Sequence, residues 1–511
     1  MQTTTFTRAA GVLLPVASLP SPYGIGSFGK AAYRWVDFLN RAGQSYWQVL
    51  PLSPTGFGDS PYQSCSAFAG NPYFIDLDLL CEQGLLQTSD CTKICWGSAG
   101  AIDYKAIFDN RETLLRKAYA AFSDLDALKA FRRGNHMWIE DYALYMAIKT
   151  QNELRPWWEW PKDVLLRDAA ALQQCRESLR DDINYHIFVQ YLFFQQWGEL
   201  KAYANRKGIE IIGDIPIYVA MDSADTWSNS QLFLLDRTCR PIDVAGVPPD
   251  GFSSTGQLWG NPLYRWDHMK QDGYRWWIER LRFSLSLYDV LRIDHFRGFD
   301  SYYAVPYGDK TAANGEWRKG PGIDFIQTVN TELGKHAQII AEDLGYLTDG
   351  VRELLRQSGY PGMKVLQFAF DSREDSDYMP HNYNHHCVVY TGTHDNDTVR
   401  GWFSSAPTDD VVLAQEYLGL KDGRDGNWAF IRAALGSVAN VAIIPVQDYL
   451  NLGSEARINI PSTLGGNNWR WRLDEKLLDN NIADKIATMT ALYGRSPATL
   501  QGGETNEPVS K

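Results

Sequence analysis

The stretch "DVLRIDHFRGFD", Asp289 to Asp300, begins as a buried strand and then fills with charge. Burying unpaired charge is costly, so a strand that ends in Arg292, Asp294, His295 and Arg297 ends at a salt bridge or at a chemical task. In an extended segment side chains alternate faces, which puts Arg292 and Asp294 on one side and Ile293 and His295 on the other. An apolar run closed by charge is what a parallel α/β barrel carries at its catalytic rim, where the C-terminal ends of the strands meet.

Seven other runs share this form: "SYWQVLPL" (Ser45 to Leu52), "PYFIDLD" (Pro72 to Asp78), "IEIIGDIPIYV" (Ile209 to Val219), "AQIIAEDLG" (Ala337 to Gly345), "MKVLQFAF" (Met363 to Phe370), "HCVVYTGTHD" (His386 to Asp395) and "VAIIPVQDYL" (Val441 to Leu450). Eight strands separated by helical patterns predict a (β/α)8 barrel. A doubly wound sheet is the competitor, but no G-x-G-x-x-G follows the first strand and there is no P-loop. The expected organisation is one catalytic barrel over 1–511. A helical insertion subdomain is expected at 79–207, where "DNRETLLRKAYAAF" and "NYHIFVQYLFFQQWGELKAYANRKG" are amphipathic. A lid and loop insertion is expected at 220–275, rich in Gly, Pro, Ser and Trp. The N-terminal "MQTTTFTRAAGVLLPVASLP" holds only a short apolar patch broken by Pro15, and the tail "QGGETNEPVSK" is polar.

The net charge of −12 argues against a nucleic-acid or anionic-membrane surface. Seven scattered cysteines, an odd number, read as reduced thiols in a cytoplasmic protein. Cys91 and Cys95 have no second ligand pair, and His381, His385 and His386 read as a surface turn, so no metal is expected. The aromatic content is high, with 18 Trp, 27 Tyr and 22 Phe. Many of these rings lie in Gly, Pro and Asn-rich segments expected to be loops, such as "GFSSTGQLWGNPLYRWDH". Flat apolar rings edged by polar groups suit a sugar.

The carboxylates sharpen that reading. Arg292 beside Asp294 is expected to hold the carboxylate ionised and lower its pKa, as suits a nucleophile. On the next strand Glu342 shares a face with Ile340 and Leu344, an apolar setting that raises a carboxyl pKa, as suits a general acid. Asp343 points the other way and reads as structural. One ionised Asp and one protonated Glu on adjacent strands form the retaining glycosidase arrangement. In "YTGTHDNDT", Asp395 is placed to stabilise oxocarbenium charge and His394 to donate to hydroxyls, although an Asx-turn explains such a loop equally well. Asp214, closing the third strand, reads as structural or hydroxyl-binding.

"RIDHFRG", "AEDLG" and "GTHDN" resemble the catalytic motifs of the 4-α-glucanotransferases called amylomaltases or disproportionating enzymes, relatives of the α-amylases. "GDSPYQSCSAFAGNPYFIDL", "VAGVPPDGFSSTGQLWGNPLY" and "NWRWRL" resemble further segments of that family, and the similarity runs from near residue 10 to about residue 495. The resemblance implies Asp294 as nucleophile, Glu342 as acid/base and Asp395 as transition-state stabiliser. It also implies Arg292, His394, Trp259, Tyr62, Asp371, Phe252, Asp59 and Asn467 as glucan contacts. Many relatives carry an aromatic residue where this chain has Gly251. The implied activity is transfer of an α-1,4-glucan segment to another glucan or to glucose, with maltooligosaccharides as substrates and no cofactor. From the residues alone an amylase-type hydrolase, a glucan-binding protein and a metal-dependent barrel hydrolase remain rivals.

Overall fold

The computed structural model describes residues 6–249, 253–334, 337–345, 347–420 and 425–497. Gly251, Phe252 and the polar tail therefore lie outside the described residues. Twelve strands are described: β1 (Ala9–Leu13), β2 (Tyr46–Gln48), β3 (Glu210–Ile215), β4 (Asp243–Val247), β5 (Gln257–Pro262), β6 (Val290–Ile293), β7 (Ser301–Pro306), β8 (Glu316–Lys319), β9 (Ile339–Ala341), β10 (Gly362–Val365), β11 (Cys387–Tyr390) and β12 (Val441–Pro445). Eight of them form one sheet in the order β10-β11-β12-β1-β2-β3-β6-β9, all paired in parallel. The seam between β9 and β10 is closed by the Ala341 amide donating to the Pro361 carbonyl at 3.0 Å and by the Met363 amide donating to Asp343 Oδ1 at 2.6 Å. The chain is thus a (β/α)8 barrel, and Asp343 serves its closure.

Alternation along the strands explains how the barrel is filled. Tyr46, Ile212, Val290, Ile340, Val388 and Val441 form an inner apolar cluster with Leu13, Met363 and Tyr390. Two residues further along, on the same inward face, come Asp214, Arg292 and Glu342. The apolar layers therefore give way to a charged layer at the C-terminal rim. Tyr46 needs a hole beside it, and Gly11 supplies one: a Cβ there would lie 2.5 Å from Tyr46 Cβ and 2.8 Å from Ile443 Cδ1. Outside the barrel, Trp47, Ile211, Leu291 and Ile339 pack against the helices.

One of the expected strands needs correction. Pro72 to Asp78 is not a strand: Asn71 caps a 3-10 turn at Pro72–Phe74, and Asp76 caps a helix from Leu77 by accepting the Leu79 amide. The position is filled by β1, in the N-terminal patch. Between β2 and β3 the chain is helical, with long helices at Tyr104–Ala121, Ile139–Gln151 and Arg180–Arg206. The loop-rich segment after β3 also contains more order than its composition predicts. It contributes β4 and β5 to a four-stranded antiparallel sheet, β5-β4-β7-β8.

Candidate active site

The charged layer is organised by Arg292. Its Nη1 donates to Asp214 Oδ2 at 2.6 Å, its Nη2 donates to Asp294 Oδ1 at 3.0 Å, and its Nε lies 3.3 Å from Met363 Sδ. Asp214 also accepts the Tyr62 hydroxyl at 2.8 Å, so it belongs to the same network. After β6 the chain turns sharply, with His295 in the left-handed region at φ 54°. That turn aims the His295 amide at Glu342 Oε2, 2.7 Å away, while the Leu344 amide donates to Glu342 Oε1 at 2.7 Å. The carboxyl of Glu342 is thereby fixed on the residue that directly follows Asp294.

Burial dominates the electrostatics. Glu342 is 8% exposed, and burial followed by the charge of Asp294 pushes its pKa up to about 8 despite the two amides. Asp294 departs from the sequence expectation. Burial pushes it up to about 6, and the opposing pull of Arg292 does not bring it below the usual range, because Asp214 already takes part of that guanidinium's charge. The order of the pair is nevertheless the expected one: Asp294 loses its proton before Glu342.

The third cluster follows β11. His394 is buried, stacks on Tyr62 with ring centroids 5.2 Å apart, and has Trp469 at 5.9 Å. The side chain of Asp395 is 45% exposed, and its Oδ1 lies 3.5 Å from His394 Nε2. Asn396 braces the loop by accepting from the Thr393 amide and hydroxyl three residues back, which is not the Asx-turn geometry, while Asp397 accepts from Ser454. Trp259, on β5, meets the His295 ring edge-on at 4.8 Å. Asp59 is drawn in more loosely, by Arg470 at 3.8 Å. Asn467 is exposed, and the Asp371 carboxylate is occupied by Arg373 at 2.6 Å, so neither joins the carboxylate network. Phe252 lies outside the described residues.

Sequence reasoning missed two side chains that grip Asp395. Asn459 Nδ2 donates to Asp395 Oδ1 at 2.6 Å, and Arg457 Nη2 donates to the Asp395 carbonyl at 2.7 Å. Arg457 Nε also donates to the Asn459 carbonyl, and the Asn459 amide donates to the His394 carbonyl at 3.1 Å. The available signal was positional: both residues follow the last barrel strand, on the rim that carries the site. Among the described residues, no group of three or more His, Cys, Asp or Glu side chains could hold a metal ion. No described helix is long and apolar enough to cross a membrane.

Comparisons with known proteins agree with this chemistry. A family described as 4-alpha-glucanotransferase matches residues 14–478. A 4-alpha-glucanotransferase of Clostridium butyricum is 50% identical over 485 residues, covering 94% of this chain and 99% of the relative. One from Thermus thermophilus is 46% identical over 479 residues, covering 91% and 95%. The solved amylomaltase of Streptococcus agalactiae in complex with acarbose superposes with a TM-score of 0.93 at 40% identity, covering 96% of this chain and all of that one. With a barrel rim bearing paired carboxylates and a family match over most of its length, the chain belongs to the 4-alpha-glucanotransferases.

Proposed function

We propose that Asp294 is the nucleophile, Glu342 the acid/base and Asp395 the transition-state stabiliser of the family's retaining double displacement on α-glucans. The observation that carries the assignment is the placing of the pair: Arg292 donates to Asp294 at 3.0 Å, and the amide of the residue after Asp294 holds the buried Glu342 carboxyl at 2.7 Å. Near neutral pH Asp294, at about 6, is ionised while Glu342, at about 8, keeps its proton. Asp294 attacks the anomeric carbon of an α-1,4-glucan as Glu342 protonates the leaving oxygen, which gives a β-linked glycosyl ester. Glu342, now a base, deprotonates the 4-hydroxyl of a maltooligosaccharide or of glucose, and the second inversion restores the α configuration. Asp395 keeps one oxygen on Asn459 and offers the other to sugar hydroxyls and to the oxocarbenium charge.

Tyr62, His394 and Trp259 are read as the sugar-lining groups, with Arg292 holding the nucleophile. Asp59, Asn467 and Asp371 are read as outer glucan contacts at the margins of the cleft, and Phe252 as a stacking residue of the lid. The helical segment 79–207 and the lid 220–275 are read as insertions on a single barrel. The leaving group is itself a sugar, and the ester carries the bond energy, so the cycle uses no metal or nucleotide. Seven unpaired cysteines fit a reducing, cytoplasmic setting.

The test is incubation of the purified protein with maltotriose while the oligosaccharide ladder and total reducing ends are followed. A growing ladder with constant reducing ends is the expected result. Shortening products with rising reducing ends would instead make water the acceptor.

A further inference from the structure

We propose that Trp317 is a stacking platform for the acceptor glucan, a sugar-binding position on the Glu342 side of the cleft beyond the reacting bond. Trp317 lies on β8, the edge strand of the antiparallel sheet, directly opposite Tyr303 on β7. The Tyr303 ring braces it edge-on at 5.2 Å, and the Arg297 guanidinium covers one face at 4.1 Å. The residue is nevertheless 44% exposed. A ring locked in orientation with surface left open is preorganised to receive the CH face of a pyranose.

Its place relative to the chemistry follows from the chain. Arg297 lies in the 3-10 turn Phe296–Phe299, three residues after Asp294, and the first amide of that turn donates to the Glu342 carbonyl at 3.0 Å. A wall therefore runs from Glu342 to Trp317 through Arg297, whose guanidinium lies within reach of the Glu342 charge on one side and covers the Trp317 ring on the other. The connection between β7 and β8 also supports the lid, since the Ala312 amide donates to the Thr255 carbonyl at 3.0 Å. Glu342 serves the oxygen that leaves and later the hydroxyl that attacks, so both sugar chains extend along its side of the cleft, between this wall and the lid. The inference rests on the role given to Glu342 above. An acceptor of one glucose, held at the reacting bond, stops short of Trp317, because Arg297 stands between the two; a longer acceptor reaches it.

The experiment measures transfer from one donor to glucose, maltose, maltotriose, maltotetraose and maltoheptaose as acceptors. In W317A, kcat/KM for the long acceptors is expected to fall roughly three- to tenfold with glucose unchanged, and W317F is expected to recover most of the loss. W317L keeps apolar bulk but no ring and is expected to show the same length-dependent loss, so the proposal stays testable even where W317A fails to fold. An unchanged ratio of long to short acceptors, or an equal loss with glucose, overturns the proposal. If the wild-type enzyme releases only reducing ends with every acceptor, the proposed function fails as well. If the wild type transfers and only the length dependence is absent in the variants, this inference alone fails.

Discussion

Glu342 and Asp294 end neighbouring strands of one barrel and differ in what surrounds them. Glu342 receives two amides in a buried pocket, whereas Asp294 receives one shared guanidinium and keeps 29% of its side chain open to the cleft. D294N and E342Q are each expected to lower transfer by at least ~10³-fold while the protein melts as a folded domain, as activity assays and calorimetry would read. The pH profile of kcat/KM should rise as Asp294 ionises near 6 and fall as Glu342 deprotonates near 8. The same displacement has a stability consequence with a definite sign. The folded-state pKa of Glu342 lies above its ordinary value of 4.5, so between these values the folded state binds more protons and stability falls as pH rises. E342Q should therefore melt about 2 °C or more above the wild type at pH 8.5 and no higher at pH 4; equal melting at both would refute the buried, protonated acid. Removing the Asn459 amide in N459A frees Asp395 to rotate and should cost about ten- to a hundredfold in kcat with little change in melting, the range for a hydrogen bond to a charged group.

At the scale of elements, the parts of the barrel legible in the sequence were those where an apolar run ends in a functional charge. β6 and β9 announce themselves by Arg292, Asp294 and Glu342, because inward residues of one strand recur at every second position. β1 does not announce itself. It is five residues long, buried on both faces, and carries no charge, so nothing in its own composition separates it from a random apolar patch. "PYFIDLD" misleads for the opposite reason: its aromatic run looks like a strand, but Asn71 and Asp76 are caps, and capping decides the backbone there. β4 and β5 are separated by the glycine- and proline-containing stretch "PPDGFSSTG", which reads as loop, and β4 pairs with β7 from about sixty residues away. The site divides in the same way. The carboxylates are local and legible, whereas the grip of Arg457 and Asn459 on Asp395 is made across more than sixty positions. The packing of β1 on β2 gives a direct check. G11A would drive a methyl into Tyr46 and should lower unfolding free energy in urea by about 1–3 kcal/mol; a neutral substitution would mean that Tyr46 does not fill the barrel as described.

The whole molecule is held shut by its two ends. β1 lies between β12 and β2, and Arg495 donates to the carbonyls of Ala9, Leu435, Ser437, Ala439 and Asn440. Arg8 adds bonds to Leu435, Ser437 and Tyr493. Lysine lacks the fork that satisfies these carbonyls together, so R495K is expected to cost about 2–4 kcal/mol in denaturant unfolding while leaving the kcat of the folded fraction unchanged.

This closure also sets a timetable. β1 leaves the ribosome before the other barrel strands, and its partner β12 is made about 430 residues later, a wait of ~20–90 s at ordinary rates of synthesis. Until Val441 to Pro445 arrives, one edge of β1 has no partner, and an unpaired edge is a template for wrong pairing. The yield of active enzyme in a producing cell therefore depends on how well that edge is sheltered during translation, a quantity that the stability of the finished barrel does not control.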